Sequence, residues 1–212
     1  MIWNLAQGQR GFTSNAFLVA GADVMSDGSE PAAGPGSPDE GRTVLVDPGS
    51  EFDAVAAVEQ HVDSLDAVVL THTHPDHVGN TTAVVDAFDV DVWGFDPDNE
   101  LVDHRIADGD TVELGTHEYD ALHTPGHKED HLCFHSPEAG VLFAGDLIFA
   151  GGSFGRTDLP EGDRETLIES IDRVLETVGP DLREMHTGHG PSVTDSPYED
   201  IELSARAARA MQ

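Results

Sequence analysis

The chain has 212 residues, room for one substantial domain or for one with a short appendage. Its 41 Asp and Glu against 10 Lys and Arg give a formal charge of −31. That argues against a nucleic-acid partner, which needs a Lys/Arg footprint. The acidic residues are dispersed through patterned apolar segments, which also argues against a disordered acidic tail.

In chain order, Met1 to Leu5 shows no basic or long apolar leader. Nothing approaches the ~18 consecutive apolar residues of a membrane span, so the expectation is a cytoplasmic protein without a membrane partner. Ala16–Ala20 and Thr43–Asp47 read as strands. Between them, residues 26–42 are rich in Gly, Pro, Ser and acid, which predicts a flexible loop. Ser50 and Asp53 resemble a capping box opening a helix over residues 52–61. The short apolar run Ala67–Leu70 predicts a strand buried on both faces. A helix over 78–88 and a strand over 91–95 follow. Four strands are then predicted, over 111–114, 118–123, 131–135 and 141–144. Apolar residues recur at helical spacing over 165–178. A strand over 184–187 and a helix over 198–210, with Pro197 at its start, complete the pattern. Two sheets packed face to face with helices outside would accommodate it.

The single cysteine, Cys133, sits in the apolar run His131–Phe134, so a buried structural thiol is expected. Only one residue, Lys128, is a lysine. An acidic, lysine-poor surface resembles those of halophilic proteins. In concentrated salt the Debye length is ~3 Å and self-repulsion among carboxylates is screened.

The segment with most chemistry is Thr71-His72-Thr73-His74-Pro75-Asp76-His77. Three imidazoles and a carboxylate within six residues, directly after an apolar strand, form a ligand-dense turn suited to zinc and its first-row neighbours. His72 and His74 are two apart, which on an extended backbone sends both to one side. Three further loops carry candidates. These are Thr124-Pro125-Gly126-His127, then Gly145-Asp146, and His189 between two glycines. With the His-rich turn they make five His and two Asp.

This constellation resembles the metallo-β-lactamase-fold hydrolases over nearly the whole chain, 1–212 being one such domain. The resemblance implies an α/β fold, a four-layer αββα sandwich of two mixed sheets flanked by helices. It implies two divalent metal ions, zinc before iron or manganese. His72, His74 and His127 would hold the first metal, Asp76, His77 and His189 the second, with Asp146 bridging them. Asp76 would also be catalytic, orienting a metal-bridging hydroxide.

Gly155-Arg156-Thr157-Asp158-Leu159-Pro160 looks like the matching stretch of small glyoxalase II-type enzymes, which hydrolyse thioesters of 2-hydroxy acids. A small acyl-thioester is then the expected partner. Its thiol, of pKa ~8.5, leaves as thiolate without a strong general acid. Arg156 and Lys128 are candidate substrate contacts, Arg156 through its fork of donors. The larger enzymes of this type carry a C-terminal glutathione-gripping region, whereas only residues 191–212 follow His189 here. Seven other histidines match no ligand position, although His123 and His131 flank the 124–127 turn and could steady ligands from behind. Mononuclear iron persulfide dioxygenases share the fold and the Gly-Arg-Thr-Asp stretch, and stand as the alternative.

Overall fold

A computed structural model describes residues 1–21, 41–96 and 98–210. The loop expected over 26–42 lies outside the described residues except for Gly41 and Arg42. Arg42 exchanges backbone hydrogen bonds of 2.8 and 2.9 Å with Gly115.

The first half builds a six-stranded sheet from β1 (Ile2–Asn4), β2 (Phe17–Val19), β3 (Val44–Val46), β4 (Ala67–Val69), β5 (Val92–Gly94) and β6 (His104–Arg105), in that spatial order. The β1–β2 and β2–β3 pairs are antiparallel, and the rest run parallel. Helices α1 (Ala54–Glu59), α2 (Pro75–Val78) and α3 (Thr81–Phe88) connect its parallel strands. The second half builds a five-stranded sheet from β7 (Thr111–Leu114), β8 (His117–His123), β9 (Leu132–Ser136), β10 (Val141–Gly145) and, beyond a crossover, β13 (Glu184–Thr187). Its order is β13-β10-β9-β8-β7. The crossover contains the small hairpin β11 (Ile148–Phe149) and β12 (Ser153–Phe154), then α4 (Arg164–Thr177). Helix α5 (Pro197–Ala210) closes the described chain.

Side-chain alternation assembles these pieces into layers. Along β2, β3 and β4, Phe17, Val19, Val44, Val46, Ala67 and Val69 enter the core between the sheets. Their neighbours Leu18, Leu45 and Val68 enter a second core that also holds Ala54 and Val58 of α1 and Val84 of α3. The other sheet divides the same way. Leu132, Phe134, Val141 and Phe143 face the first sheet, whereas Cys133, Leu142 and Ala144 pack with Leu167, Ile171 and Val174 of α4 and Ile201 of α5. Both faces of each sheet are therefore covered, and strands such as Val44–Val46 read as continuous apolar runs. The architecture is the expected α/β arrangement of two mixed sheets flanked by helices.

Several boundaries differ from the sequence-based expectation. Asp53, not Ser50, caps α1, accepting the Ala56 N–H at 3.0 Å, while the Ser50 hydroxyl donates to the Phe12 carbonyl at 2.7 Å. The helix expected over 78–88 is two helices broken at Gly79 and Asn80. Strands β1, β6, β11 and β12 were not expected. With two or three residues each, they are too short to show a period. Cys133 is buried, as expected, and burial pushes its thiol up to about 12, so it is inert at neutral pH.

Candidate metal centre

The His-rich turn follows β4 directly, so its side chains emerge where the parallel strands of the first sheet end. His127 lies between β8 and β9, Asp146 follows β10, and His189 follows β13. The folded chain brings all seven side chains into three overlapping groups. These are His72–His74–His127, His72–His77–Asp146 and Asp76–His77–His189, and within each the ligand atoms lie within 4.8 Å of one another.

In the first group His74 Nδ1 is 3.0 Å from His72 Nε2 and 2.9 Å from His127 Nε2. Three ring nitrogens at such spacing make a tight donor set. Ligands ~2.0–2.1 Å from one tetrahedral ion would stand only slightly farther apart, at ~3.3 Å. Asp146 joins the groups. One of its oxygens lies 3.3 Å from His77 Nε2, and the other is 3.4 Å from His127 Nε2 and 3.5 Å from His189 Nε2. His189 Nε2 is also 3.1 Å from Asp76 Oδ2.

Groups behind the cluster turn these side chains. Asp47 is buried at the end of β3 and accepts from the Thr71 N–H at 2.8 Å and the Thr71 hydroxyl at 2.6 Å. It also accepts from His77 Nδ1 at 2.8 Å. With the Thr71 hydroxyl donating to Asp47, His72 Nδ1 donates to its oxygen at 3.1 Å. His127 Nδ1 donates to the Arg156 carbonyl at 2.8 Å. In each case the Nδ1 contact leaves Nε2 facing the cluster, the usual orienting device behind metal-binding imidazoles. His131 supports Asp146 by accepting its backbone N–H at Nε2, 3.0 Å away, and donating from Nδ1 to Thr124 Oγ1 at 2.8 Å. Asn15 ties the β1–β2 loop to the His189 loop, its amide donating to the carbonyls of Thr187 and Gly190 at 2.8 and 2.9 Å.

Two glycines are required by close approach. A Cβ at Gly188 would stand 2.0 Å from Asp146 Oδ1. At Gly126, where φ is +120°, it would stand 2.2 Å from the Leu167 nitrogen. The glycine of the 124–127 turn thus lets the His127 loop lie flat against α4.

The electrostatics favour added positive charge. Burial would depress His77, but the Asp146 and Asp47 carboxylates outweigh it and raise it to about 10. His189, also disfavoured by burial, is raised to about 9 because its ring N–H faces the accepting carboxylates of Asp146 and Asp76. Burial opposes ionisation of Asp146, yet the His77 charge and the His189 contact hold it well below the usual carboxylate range. Burial, reinforced by the His77 charge, keeps His72 neutral. The pocket thus favours positive charge on His77 and His189 beside ionised carboxylates. Two of its atoms, His77 Nε2 and Asp146 Oδ1, are buried without a hydrogen-bond partner, 3.3 Å apart but misaligned. Orphaned polar atoms at the centre of an N/O donor set are what a divalent cation would satisfy. The residues present fit that group.

The two candidate substrate contacts are engaged elsewhere. Arg156 forks onto Asp158 with two bonds of 2.7 Å. It reaches the cluster through its carbonyl, under His127, and not through its guanidinium. Lys128 Nζ lies 3.0 Å from Glu161 and 3.3 Å from Asp130. Asp130 in turn accepts from the Thr73 hydroxyl at 2.6 Å, linking the His127 loop to the residue between His72 and His74. Of the paired histidines, His131 stands behind a candidate ligand, while His123 stacks on Phe95 with ring centres 3.9 Å apart. Asp47 and Asn15 were not anticipated. For Asp47 a signal existed, because a carboxylate ending one parallel strand must lie beside the loop that leaves its neighbour.

Comparison with known proteins places this fold and cluster among metal-dependent hydrolases. The chain belongs to the Metallo-beta-lactamase superfamily, whose family model matches residues 38–194. It is 32% identical over 179 residues to the hydroxyacylglutathione hydrolase GloC of Haemophilus influenzae, covering 74% of this chain and 84% of that protein. A hydroxyacylglutathione hydrolase of Rhizobium meliloti is 32% identical over 180 residues, 81% of this chain and 68% of the relative. The solved structure of TTHA1623 in a di-iron-bound form superposes with a TM-score of 0.69 at 29% identity, covering 97% of each chain.

Proposed function

We propose that the chain is a binuclear hydrolase of small 2-hydroxyacyl thioesters, working as one catalytic unit in a high-salt cytoplasm. The observation that carries this reading is the convergence of seven imidazole and carboxylate side chains around the orphaned atoms of His77 and Asp146. Two relatives named hydroxyacylglutathione hydrolase and a similar structure named as di-iron-bound support it.

His72, His74 and His127 would hold one divalent ion and Asp76, His77 and His189 the other, with Asp146 shared. When bound, such a pair lowers the pKa of water to near neutrality and withdraws charge from a carbonyl oxygen. The chain's own residues do the rest. Asp47 and Thr71 fix the rings of His77 and His72, so the donor atoms are placed before substrate arrives. Asp76 is only partly buried and its carboxylate is held ionised. Burial opposes that, but the hydrogen bond to His189 and the His77 charge prevail. As an ionised carboxylate it can orient attacking water by accepting its hydrogen bond. The leaving group is a thiol of pKa ~8.5 and departs as thiolate, so no strong general acid is needed. Zinc is the expected metal, with iron or manganese compatible with the same donors.

Hydrolysis of a panel of 2-hydroxyacyl thioesters, followed by thiol release, tests the activity. Turnover with no oxygen consumption is expected. A single iron per chain with oxygen uptake on a persulfide would replace the hydrolase reading by the dioxygenase one. The high-salt setting rests on the −31 charge. Thermal stability should rise as potassium chloride goes from ~0.1 to ~2 M, because screening relieves carboxylate repulsion. A flat or falling melting temperature would remove that part of the proposal.

A further inference from the structure

Two aromatic rings meet a partly exposed candidate ligand, His189. The His189 side chain is 35% exposed. The ring of Phe12 stacks on it with centres 6.5 Å apart, and that of Phe149 meets it edge-on at 6.1 Å. Phe12 is 74% exposed and is one of three large apolar residues left open among the described ones. Solvation alone gives no reason to keep such a ring there.

The ring is not on a loose strand of chain. The Phe12 N–H donates to Glu51 Oε2 at 2.9 Å, and its carbonyl accepts from the Ser50 hydroxyl at 2.7 Å. The Ser50 N–H donates to Thr13 Oγ1 at 2.9 Å, and the Ser14 N–H donates to the Asp76 carbonyl at 3.1 Å. Glu51 is itself in the left-handed region, at φ 56°, a conformation unfavourable for a residue with a side chain. Phe149 is also fastened, on a hairpin whose turn donates from the Gly151 N–H to Asp200 at 2.9 Å. Ser153, in the same hairpin, has its carbonyl bonded by the Ser204 hydroxyl at 2.9 Å. Two loops from different halves thus hold aromatic rings in place beside a reacting centre.

We propose that Phe12, together with Phe149 on the same His189 ring, is a specificity-determining wall that receives an apolar group within a few bonds of the scissile carbonyl. This rests on the thioesterase reading and adds the substrate class, thioesters carrying an aryl or branched alkyl group within a few bonds of the reacting carbonyl. Rigid exposed aromatics supply large contact area at little conformational cost, and covering a phenyl ring removes apolar surface from both partners. The apolar group can belong to the acyl half or to the thiol half of the substrate. The two sources are separable by experiment.

The test compares mandeloyl and lactoyl thioesters of one small thiol, and lactoyl thioesters of benzyl and methyl thiols, in the wild type, Phe12→Ala and Phe12→Trp. In the wild type, KM is expected to be lower for the aryl member of one pair, and that pair identifies the half that meets the wall. Phe12→Ala should raise KM for that member about tenfold while kcat falls less, with Phe12→Trp restoring the preference. Metal content equal to wild type in both variants would show that the cluster is intact. An aryl preference absent from the wild type, or unchanged in Phe12→Ala, overturns the wall. Calorimetric binding of the matching thioether analogues, which cannot be hydrolysed, reads the same preference without turnover. If no thioester is cleaved, the thioesterase reading falls. The wall then stands if aryl thioethers bind more tightly than methyl ones only when Phe12 is present, and falls otherwise.

Discussion

The two halves of the molecule contribute to the cluster in opposite ways. The first half places His72, His74, Asp76 and His77 on one turn after β4, so four donors share a short backbone, and two of them, His72 and His77, share one support, the buried Asp47–Thr71 pair. The second half sends His127, Asp146 and His189 singly from three loops. Each of these has a support of its own, the Arg156 carbonyl, His131 and Asn15 respectively. A concentrated donor set depends on a single residue behind it. A dispersed one depends on the packing of the whole sheet.

The largest effect should come from the residue where the halves meet. Asp146→Ala removes the carboxylate that approaches His77, His127 and His189. It should abolish thioester hydrolysis and reduce metal to one ion per chain or none, read by elemental analysis. Retention of two ions would show that the halves bind metal independently. Next is Asp47→Asn. Loss of a residue that orients metal ligands typically costs 10–100-fold in affinity or activity, so a metal-chelator competition should show a drop of that order. Because His72 and His77 both depend on Asp47, the loss should exceed that from His131→Phe, which removes a direct support from Asp146 only. Equal losses would erase the contrast between shared and separate supports.

The smallest effect concerns packing away from the cluster. His186 lies between Phe17 and Phe143, with ring centres 4.9 and 5.0 Å away, and its Nδ1 is 2.9 Å from Ser192 Oγ. Glu184, partly exposed, stands 3.5 Å from its other nitrogen. Burial lowers His186 to about 4. Below pH 6.5 the unfolded chain binds a proton that the folded chain refuses. Stability from this group is therefore complete above pH 6.5 and is lost as pH falls to about 4, on the order of 3 kcal/mol in all. Urea unfolding across that range should show the decline, and His186→Gln should flatten it. An unchanged slope in the variant would assign the decline elsewhere.

The same contrast explains what could be read without coordinates. Four donors in six residues after an apolar run announce themselves, because ligand chemistry and strand signal are adjacent in the chain. His127, Asp146 and His189 were recognisable only as a set, since each alone resembles an ordinary turn residue. Asn15 and Phe12 carry no local pattern, and Asp47 shows only as a carboxylate at a strand end. Their roles arise from which loops the sheets bring together, and Phe12 in particular would read as a stray apolar residue. The substrate contacts assigned to Arg156 and Lys128 illustrate the complementary limit. Asp158, two residues from Arg156, was readable in the chain as its partner, whereas Glu161 beside Lys128 comes from a separate loop.

The most direct measurement is the metal content of the purified wild-type protein beside that of a His72→Ala, His189→Ala double variant. The account predicts about two divalent ions per wild-type chain and a matching loss in the variant, whose fold, followed by circular dichroism, stays intact. A wild-type chain that remains metal-free after dialysis against zinc, iron and manganese, with its fold intact, would contradict it.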